Sequence, residues 1–345
     1  MKKSFFIIPI VFVLMLVGCK KKEYEAYSMD TYAMGSYMNV VIYSDEVVKD
    51  GVFDEIESTI HDIDKRMSIN SKDIVSEVDK VNDSAGKSFE KVSEDTFYLI
   101  KEGKKYTKET DNNLDIAIGS TVKLWNVGFD NASVPSDKAI KESLDHIDID
   151  GVLLDEKSSS VKLAKEGMMI DLGSIAKGYV ADKVKDIIVD NGYEHAVLNI
   201  GGNIMCLGEK YDLKPYKIGI RDGNKSSKDY LGTLEIVDKS VVTSGIYERN
   251  FIQDGKLYHH ILDSKTGYPV ENNILGVSII SENSTKCDAL STAVFSMGLE
   301  DGLKYVNNKD GIEAIFVTKD NKIYLSDNIK NDFNLTSQDY VIANL

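Results

Sequence analysis

The chain is poor in cysteine, proline and positive charge, and each shortage excludes something. Three Cys in 345 residues cannot staple a small disulfide scaffold. Three of the four Pro lie beyond the first ten residues, and no Pro/Gly/Ser-rich stretch separates one unit from another. The sequence therefore reads as one continuous domain, with room for two lobes. Lys and Arg number 41 against 56 Asp and Glu, a formal net charge of −15. Such a surface has no general attraction for nucleic acid or for an anionic membrane. A phosphorylated substrate would be repelled unless a metal ion or a placed Lys neutralised it locally. Familiar signatures are missing as well. No G-x-G-x-x-G follows a strand, and Gly86-Lys87-Ser88 is no P-loop because residue 81 is Val where Gly is required. H-E-x-x-H, C-x-x-C and G-x-S-x-G are absent. What is present is 42% hydrophobic residues, ample for a sizeable core.

The N-terminus carries Lys2 and Lys3 and then an apolar run from Phe5 to Val17. That run is short for a membrane span, which needs about 20 residues, and has the shape of a signal peptide. It closes on Leu16-Val17-Gly18-Cys19, which resembles a bacterial lipobox. The expectation is a signal over 1–18, a lipid-anchored tether over 19–30 and a single domain over 31–345. Lipidation at Cys19 would hold the protein outside the cytoplasm on a bacterial membrane. Cys206 and Cys287 remain, and their apolar settings favour unpaired core thiols over a disulfide.

Residues 37–43 alternate as a strand. Phe53, Ile56, Ile60, Ile63 and Met67 recur at helical steps. Another helix is expected over 95–109, a hairpin over 151–163, a short strand over Met168–Leu172 and a helix over 174–189. Strands are expected near 195–200, 217–220, 231–237, 241–244, 257–262, 274–280, 313–317 and 322–325. Helices are expected over 287–297 and 300–307. Strands and helices mix without a steady βαβ rhythm, so the fold class is α+β.

Three segments carry chemistry. In 168–184, Asp171 and a Gly precede a helix opening near Ser174, with Lys177 in its first turn. A cation there is unfavourable unless a shared anion such as phosphate joins it; a plain Ser N-cap with a solvated Lys is the other reading. In 241–269, Thr243, Ser244, His259, His260, Asp263 and Thr266 crowd a hairpin. Adjacent His259 and His260 must point to opposite faces of a strand, so one can serve as a base while the other packs. In 287–298, Asp288 and Thr292 share a helix face, hard oxygen donors suited to Mg²⁺ bridging substrate phosphates. An N-cap Asp and a packed Thr would look the same.

Together these segments resemble the ApbE family of FAD:protein FMN transferases. The matching runs are Asp171 to Tyr179, Thr243 to Arg249, His260 to Pro269 and Cys287 to Thr292. Weaker ones are Met34-Gly35, Ser76-Glu77-Val78 with Asn82, Leu114-Asp115, Leu124-Trp125 and Asn199 to Gly202. The resemblance implies mixed and antiparallel sheets with packed helices in two lobes and a flavin nucleotide cleft between them. It implies that FAD is cleaved, AMP is released, and FMN is joined through a phosphoester to a Thr or Ser. The acceptor would be an exported protein carrying a D-G-x-[ST]-G-A-T type sequence. By motif position, Asp288, Thr292 and the Ser174 carbonyl would hold Mg²⁺. Asp171 and Lys177 would bind FAD, while Met34, Asn113, Leu114, Asp115 and Leu262 would line its pocket. His260 is the candidate base. Ser264 and Cys287 replace the family's Pro and Ala. Asn70 stands where many transferases have a Tyr over the nucleotide, so hydrolysis of FAD to FMN and AMP is an alternative. A flavin-binding lipoprotein without chemistry is another.

Overall fold

The computed structural model describes residues 23–69, 74–212, 214–223 and 230–345. The signal, Cys19 and Asn70 lie outside these. In chain order come β1 (Glu25–Ala33), β2 (Ser36–Ser44), α1 (Val52–Met67), α2 (Glu77–Asp83), β3 (Glu90–Lys91), α3 (Glu94–Glu109), α4 (Gly119–Trp125), α5 (Asp137–Leu144), β4 (Val152–Asp155) and β5 (Ser160–Leu163). Then follow α6 (Ala176–Asp190), β6 (Ala196–Ile200), β7 (Asn203–Leu207), β8 (Tyr216–Arg221), β9 (Tyr230–Ile236), β10 (Ser240–Gly245), β11 (Asn250–Gln253) and β12 (Lys256–His259). Last are β13 (Ile274–Ser281), α7 (Ser284–Met297), α8 (Leu299–Asn307), β14 (Glu313–Thr318), β15 (Lys322–Leu325), β16 (Phe333–Leu335) and β17 (Val341–Ile342).

A nine-stranded sheet runs β1-β2-β6-β7-β10-β13-β14-β15-β17. Its pairings are antiparallel apart from β15 with β17. The period-two alternation of side chains splits it between two cores. Met205, Val242, Ile279 and Phe316 face a large core with α1, α6 and α7. Cys206, Val241, Ile280 and Ile315 face a second core, capped by the three-stranded sheet β16-β9-β8. β13 lies between the two, and all eight of its residues are buried. That explains its unbroken run ILGVSIIS, since a strand covered on both faces has no polar side. The fold is α+β, as expected. Cys206 and Cys287 fall in separate cores and are free thiols. Burial raises both, Cys206 to about 12, so neither is a ready nucleophile.

α1 forms where the apolar spacing predicts it, burying Ile56, Ile60, Ile63 and Met67 with acidic residues in the first turn and basic ones in the last. Four expectations need correction. β1 takes up Glu25–Asp30, expected in the tether, and pairs with β2 along its whole length. Met168–Leu172 is not a strand. Its backbone is spent on neighbours: Gly119 donates to the Met169 carbonyl (3.0 Å) and Asp171 donates to the Ile116 carbonyl (2.8 Å). α6 begins at Ala176, two residues after Ser174, and no side chain caps it from within the chain's own turn. β12 ends at His259, and Leu262 makes only an isolated bridge to Pro269.

Candidate active site

The Met34-Gly35 turn between β1 and β2 has both residues at positive φ (50° and 68°), the two-residue turn that suits a twisted hairpin. Met34 is held there from two sides. Its amide donates to Asp64 Oδ2 (2.9 Å), and Arg249 Nη2 donates to its carbonyl (3.4 Å).

Asp171 follows a backbone pinned by Asn82, whose side chain donates to the Ile170 carbonyl (3.1 Å) and accepts from the Ile170 amide (2.8 Å). The Asp171 carboxylate accepts from the Gly173 amide (2.6 Å). Burial pushes its carboxyl above the usual range, opposed by that amide and by the cations Arg249 and Lys123. Lys123, on α4, also reaches the Ile69 carbonyl.

The metal candidates meet where α6 packs on α7. The Gly178 amide is one of the donors that the start of α6 leaves without a partner in the helix, and it donates to Asp288 Oδ2 (2.8 Å). Two oxygens here accept no hydrogen bond from the described residues: the Ser174 carbonyl, which precedes α6, and Asp288 Oδ1. Thr292 stands one turn beyond Asp288 on α7. Its hydroxyl meets Ser244 Oγ on β10 at 3.3 Å, and Ser244 Oγ meets Ser291 Oγ at 2.8 Å. Among the described residues no three His, Cys, Asp or Glu gather as a metal cluster. A carbonyl, one carboxylate oxygen and a hydroxyl fit a hard cation that keeps waters and shares substrate oxygens, and do not fit a soft metal or a closed structural site.

Only Gly serves at 178, because a Cβ there would collide with the Ser284 carbonyl oxygen and stand 2.8 Å from Asp288 Cβ. Gly178→Ala is expected to lower stability by about 1–3 kcal/mol through overpacking. Its gain in helix propensity of about 1 kcal/mol does not offset that. Thermal unfolding with and without Mg²⁺ measures the loss and whether a metal response survives.

The histidine pair divides, with His259 closing β12 and His260 just beyond it. His259 is buried. Its Nε2 donates to the Val270 carbonyl (3.1 Å), and its Nδ1 accepts from the Ile261 amide (3.3 Å). Desolvation lowers it to about 4, and its role is packing. His260 turns to the other side. Its Nδ1 lies 3.1 Å from the Arg249 carbonyl, which can only accept, so Nδ1 carries the proton and Nε2 keeps its lone pair. Desolvation pulls it down to about 3; the Arg249 carbonyl opposes this, and the Arg249, His259 and Lys177 charges add to it. Lys177 lies against Gly201 of the β6–β7 turn. Beside it stands Glu248, raised chiefly by desolvation, opposed by Lys177, Arg221 and Arg249, and pushed further up by Asp288.

Lys177, His260, Asp288, Thr292 and Ser174 therefore converge, with Asp171 linked to them through Arg249. The pocket-lining candidates are more scattered. Leu114 is packed in the main core at 2% exposure, and its amide donates to Thr110 Oγ1 (3.3 Å). Asp115 is buried, raised to about 6 by desolvation, and accepts from the Ala117 amide (2.8 Å). Asn113 lines an open groove of about 550 Å³ with Lys265 and Tyr305, away from Asp288. Leu262 packs beside fully buried Trp125, whose Nε1 donates to the Gly267 carbonyl (2.7 Å). Asp263 and Thr266 close their own turn. Ser264, in place of the family's Pro, anchors the neighbouring loop by donating to the Asn112 carbonyl (3.1 Å). Sequence reasoning missed Glu248, Arg249 as a brace for Met34, and Ser291; it placed Ser244 in the polar crowd of 241–269 but not beside Thr292. The three missed residues lie inside the quoted runs, where their types carried no signal of partners.

Residues 34–316 match the ApbE family, and the chain belongs to it. It is 39% identical over 303 residues to a Klebsiella pneumoniae protein named FAD:protein FMN transferase, covering 88% of this chain and 92% of that one. A Treponema pallidum protein of the same name is 33% identical over 315 residues, covering 87% and 86%. The fold matches the ApbE protein of Thermotoga maritima with a TM-score of 0.82 at 33% identity, covering 89% of this chain and 99% of that one. It also matches the flavin transferase ApbE from Vibrio cholerae with a TM-score of 0.79 at 26% identity, covering 90% and 100%.

Proposed function

We propose that this chain is a flavin transferase that takes FMN from FAD and joins it, through its phosphate, to a Thr or Ser hydroxyl of an exported protein. The observation that carries this reading is the set of donor-free oxygens at Ser174 and Asp288 beside a neutral imidazole and an ammonium group. Binding alone does not need a base with an assigned tautomer.

Mg²⁺ held by the Ser174 carbonyl, Asp288 Oδ1 and Thr292 Oγ1 would share with Lys177 the neutralisation of the pyrophosphate in this acidic chain. Lys177 binds a phosphate oxygen, and Asp171 fixes the nucleotide. His260 Nε2 accepts the acceptor's hydroxyl proton. The hydroxyl oxygen bonds to the FMN phosphorus as the bond to the AMP phosphate breaks, and AMP leaves with that electron pair. Lipidation at Cys19 would hold this outside the cytoplasm on a bacterial membrane.

The test mixes the chain from residue 20 onward with FAD, Mg²⁺ and an acceptor fragment carrying the D-G-x-[ST]-G-A-T type sequence. A mass increment of one FMN on the acceptor is expected. FMN and AMP without an increment would mark a FAD pyrophosphatase, and FAD bound but intact would mark a carrier.

A further inference from the structure

We propose that Asp182 is a positioning residue for the cation site, an inference that rests on the transferase reading above. Asp182 lies one turn beyond Gly178 on α6. Its carboxylate accepts three hydrogen bonds from the start of α7: the Ser284 amide on Oδ1 (2.9 Å), and the Thr285 amide (2.8 Å) and hydroxyl (2.5 Å) on Oδ2. In the other direction, the Asp288 carboxylate of α7 accepts the Gly178 amide of α6. The two helices thus exchange carboxylate-to-amide bonds, each capping donors that a helix start leaves orphaned. Asn283 caps the remaining α7 amide, accepting from Lys286 (2.7 Å).

This exchange fixes the advance of α7 along α6. At that advance the Gly178 amide takes Asp288 Oδ2 and leaves Oδ1 to the site. A shift of α7 by even part of a turn would break that bond, and Asp288 would lose its orientation. Asp182 touches neither substrate nor cation. It acts through the register of the helix that carries Asp288 and Thr292. Partners bonded directly to metal ligands are commonly worth 10–100-fold in metal affinity, and Asp182, one step further out, is expected at the low end of that range. Burial raises the Asp182 carboxyl, while the Thr285 hydroxyl and the amides it accepts hold against that rise.

The experiment titrates Mn²⁺ alone into the protein and reads loss of the free-ion paramagnetic resonance signal, at a temperature where near-ultraviolet dichroism shows every variant folded. Asp182→Asn places an amide NH₂ against donors and is expected to raise the Mn²⁺ dissociation constant about tenfold. Transfer should recover most of its kcat at saturating Mg²⁺, because the ligands themselves remain. A melting temperature that falls while Mn²⁺ affinity stays within twofold overturns the proposal and leaves Asp182 a purely structural brace. Should Asp182→Asn fail to fold, Thr285→Val, which removes one of the three bonds, decides the matter: a two- to threefold weaker Mn²⁺ site supports it and an unchanged one overturns it. Mn²⁺ binding by the unaltered chain without FMN transfer to any acceptor would sink the transferase reading and leave the clasp standing. No Mn²⁺ binding would sink both.

Discussion

Asp288→Ala is expected to lower kcat/KM for flavin transfer by about a thousandfold, roughly 4 kcal/mol of transition-state stabilisation. The reason lies in how one carboxylate is divided. Oδ2 is occupied by the Gly178 amide (2.8 Å), and Oδ1 faces the site without a donor. Truncation removes Oδ1 outright. It also leaves the Gly178 amide, in the first turn of α6, without its cap. The cost in stability is that of one lost helix cap, about 1 kcal/mol. A fall in activity with a melting temperature within a few degrees of the unaltered chain is therefore expected. A Thr292→Val change should cost less, since its hydroxyl is one ligand and its neighbours Ser244 and Ser291 remain bonded to each other. A large drop in melting temperature for Asp288→Ala, with activity falling only in proportion to the folded fraction, would show Asp288 to be a packing residue.

Much of the architecture was legible because periodicity and burial agree. The α1 spacing buries the residues it should, and the apolar run of β13 is the pattern of a strand covered on both faces. β1 was not legible. Its sequence EAYSMDTYA lies at the sheet edge, where Tyr27 and Met29 alternate inward against the main core but stay only half-buried, and polar Thr31 shares their face, so the apolar signal is weak. Met168–Leu172 misled in the opposite way. It is apolar enough for a strand, yet its backbone is consumed by Asn82 and by residues 116–119, contacts far away in sequence. At the site, residue types at motif positions identified Asp288, Thr292, Lys177 and His260. Nothing in the sequence could show that Asp288 caps α6, or that Asp182 caps α7 in return. Those are tertiary hydrogen bonds between helix starts about a hundred residues apart in the chain, and no local spacing records them.

His260→Ala is expected to reduce transfer by 10²- to 10⁴-fold, the usual contribution of a general base, while FAD binding is retained. The pH profile separates this from a structural role. An unperturbed imidazole would impose an acid limb near pH 6.5, but desolvation lowers His260 to about 3, so its neutral form prevails throughout the working range. The kcat/KM of the free enzyme should then stay flat from pH 8 down to about 5. The linkage has a definite sign. Between about 3 and 6.5 the unfolded chain binds a proton that the folded imidazole refuses, so His260 contributes its full stability above pH 6.5 and loses it as pH falls through that window. His259, lowered to about 4, adds to the loss, whereas Asp115, raised to about 6, works against it. Because Nδ1 is committed to the Arg249 carbonyl, His260→Gln, which offers an amide in place of a basic nitrogen, should restore packing but not rate. Recovery of rate in that variant, or an acid limb near 6.5 in the unaltered enzyme, would remove His260 from the proton transfer.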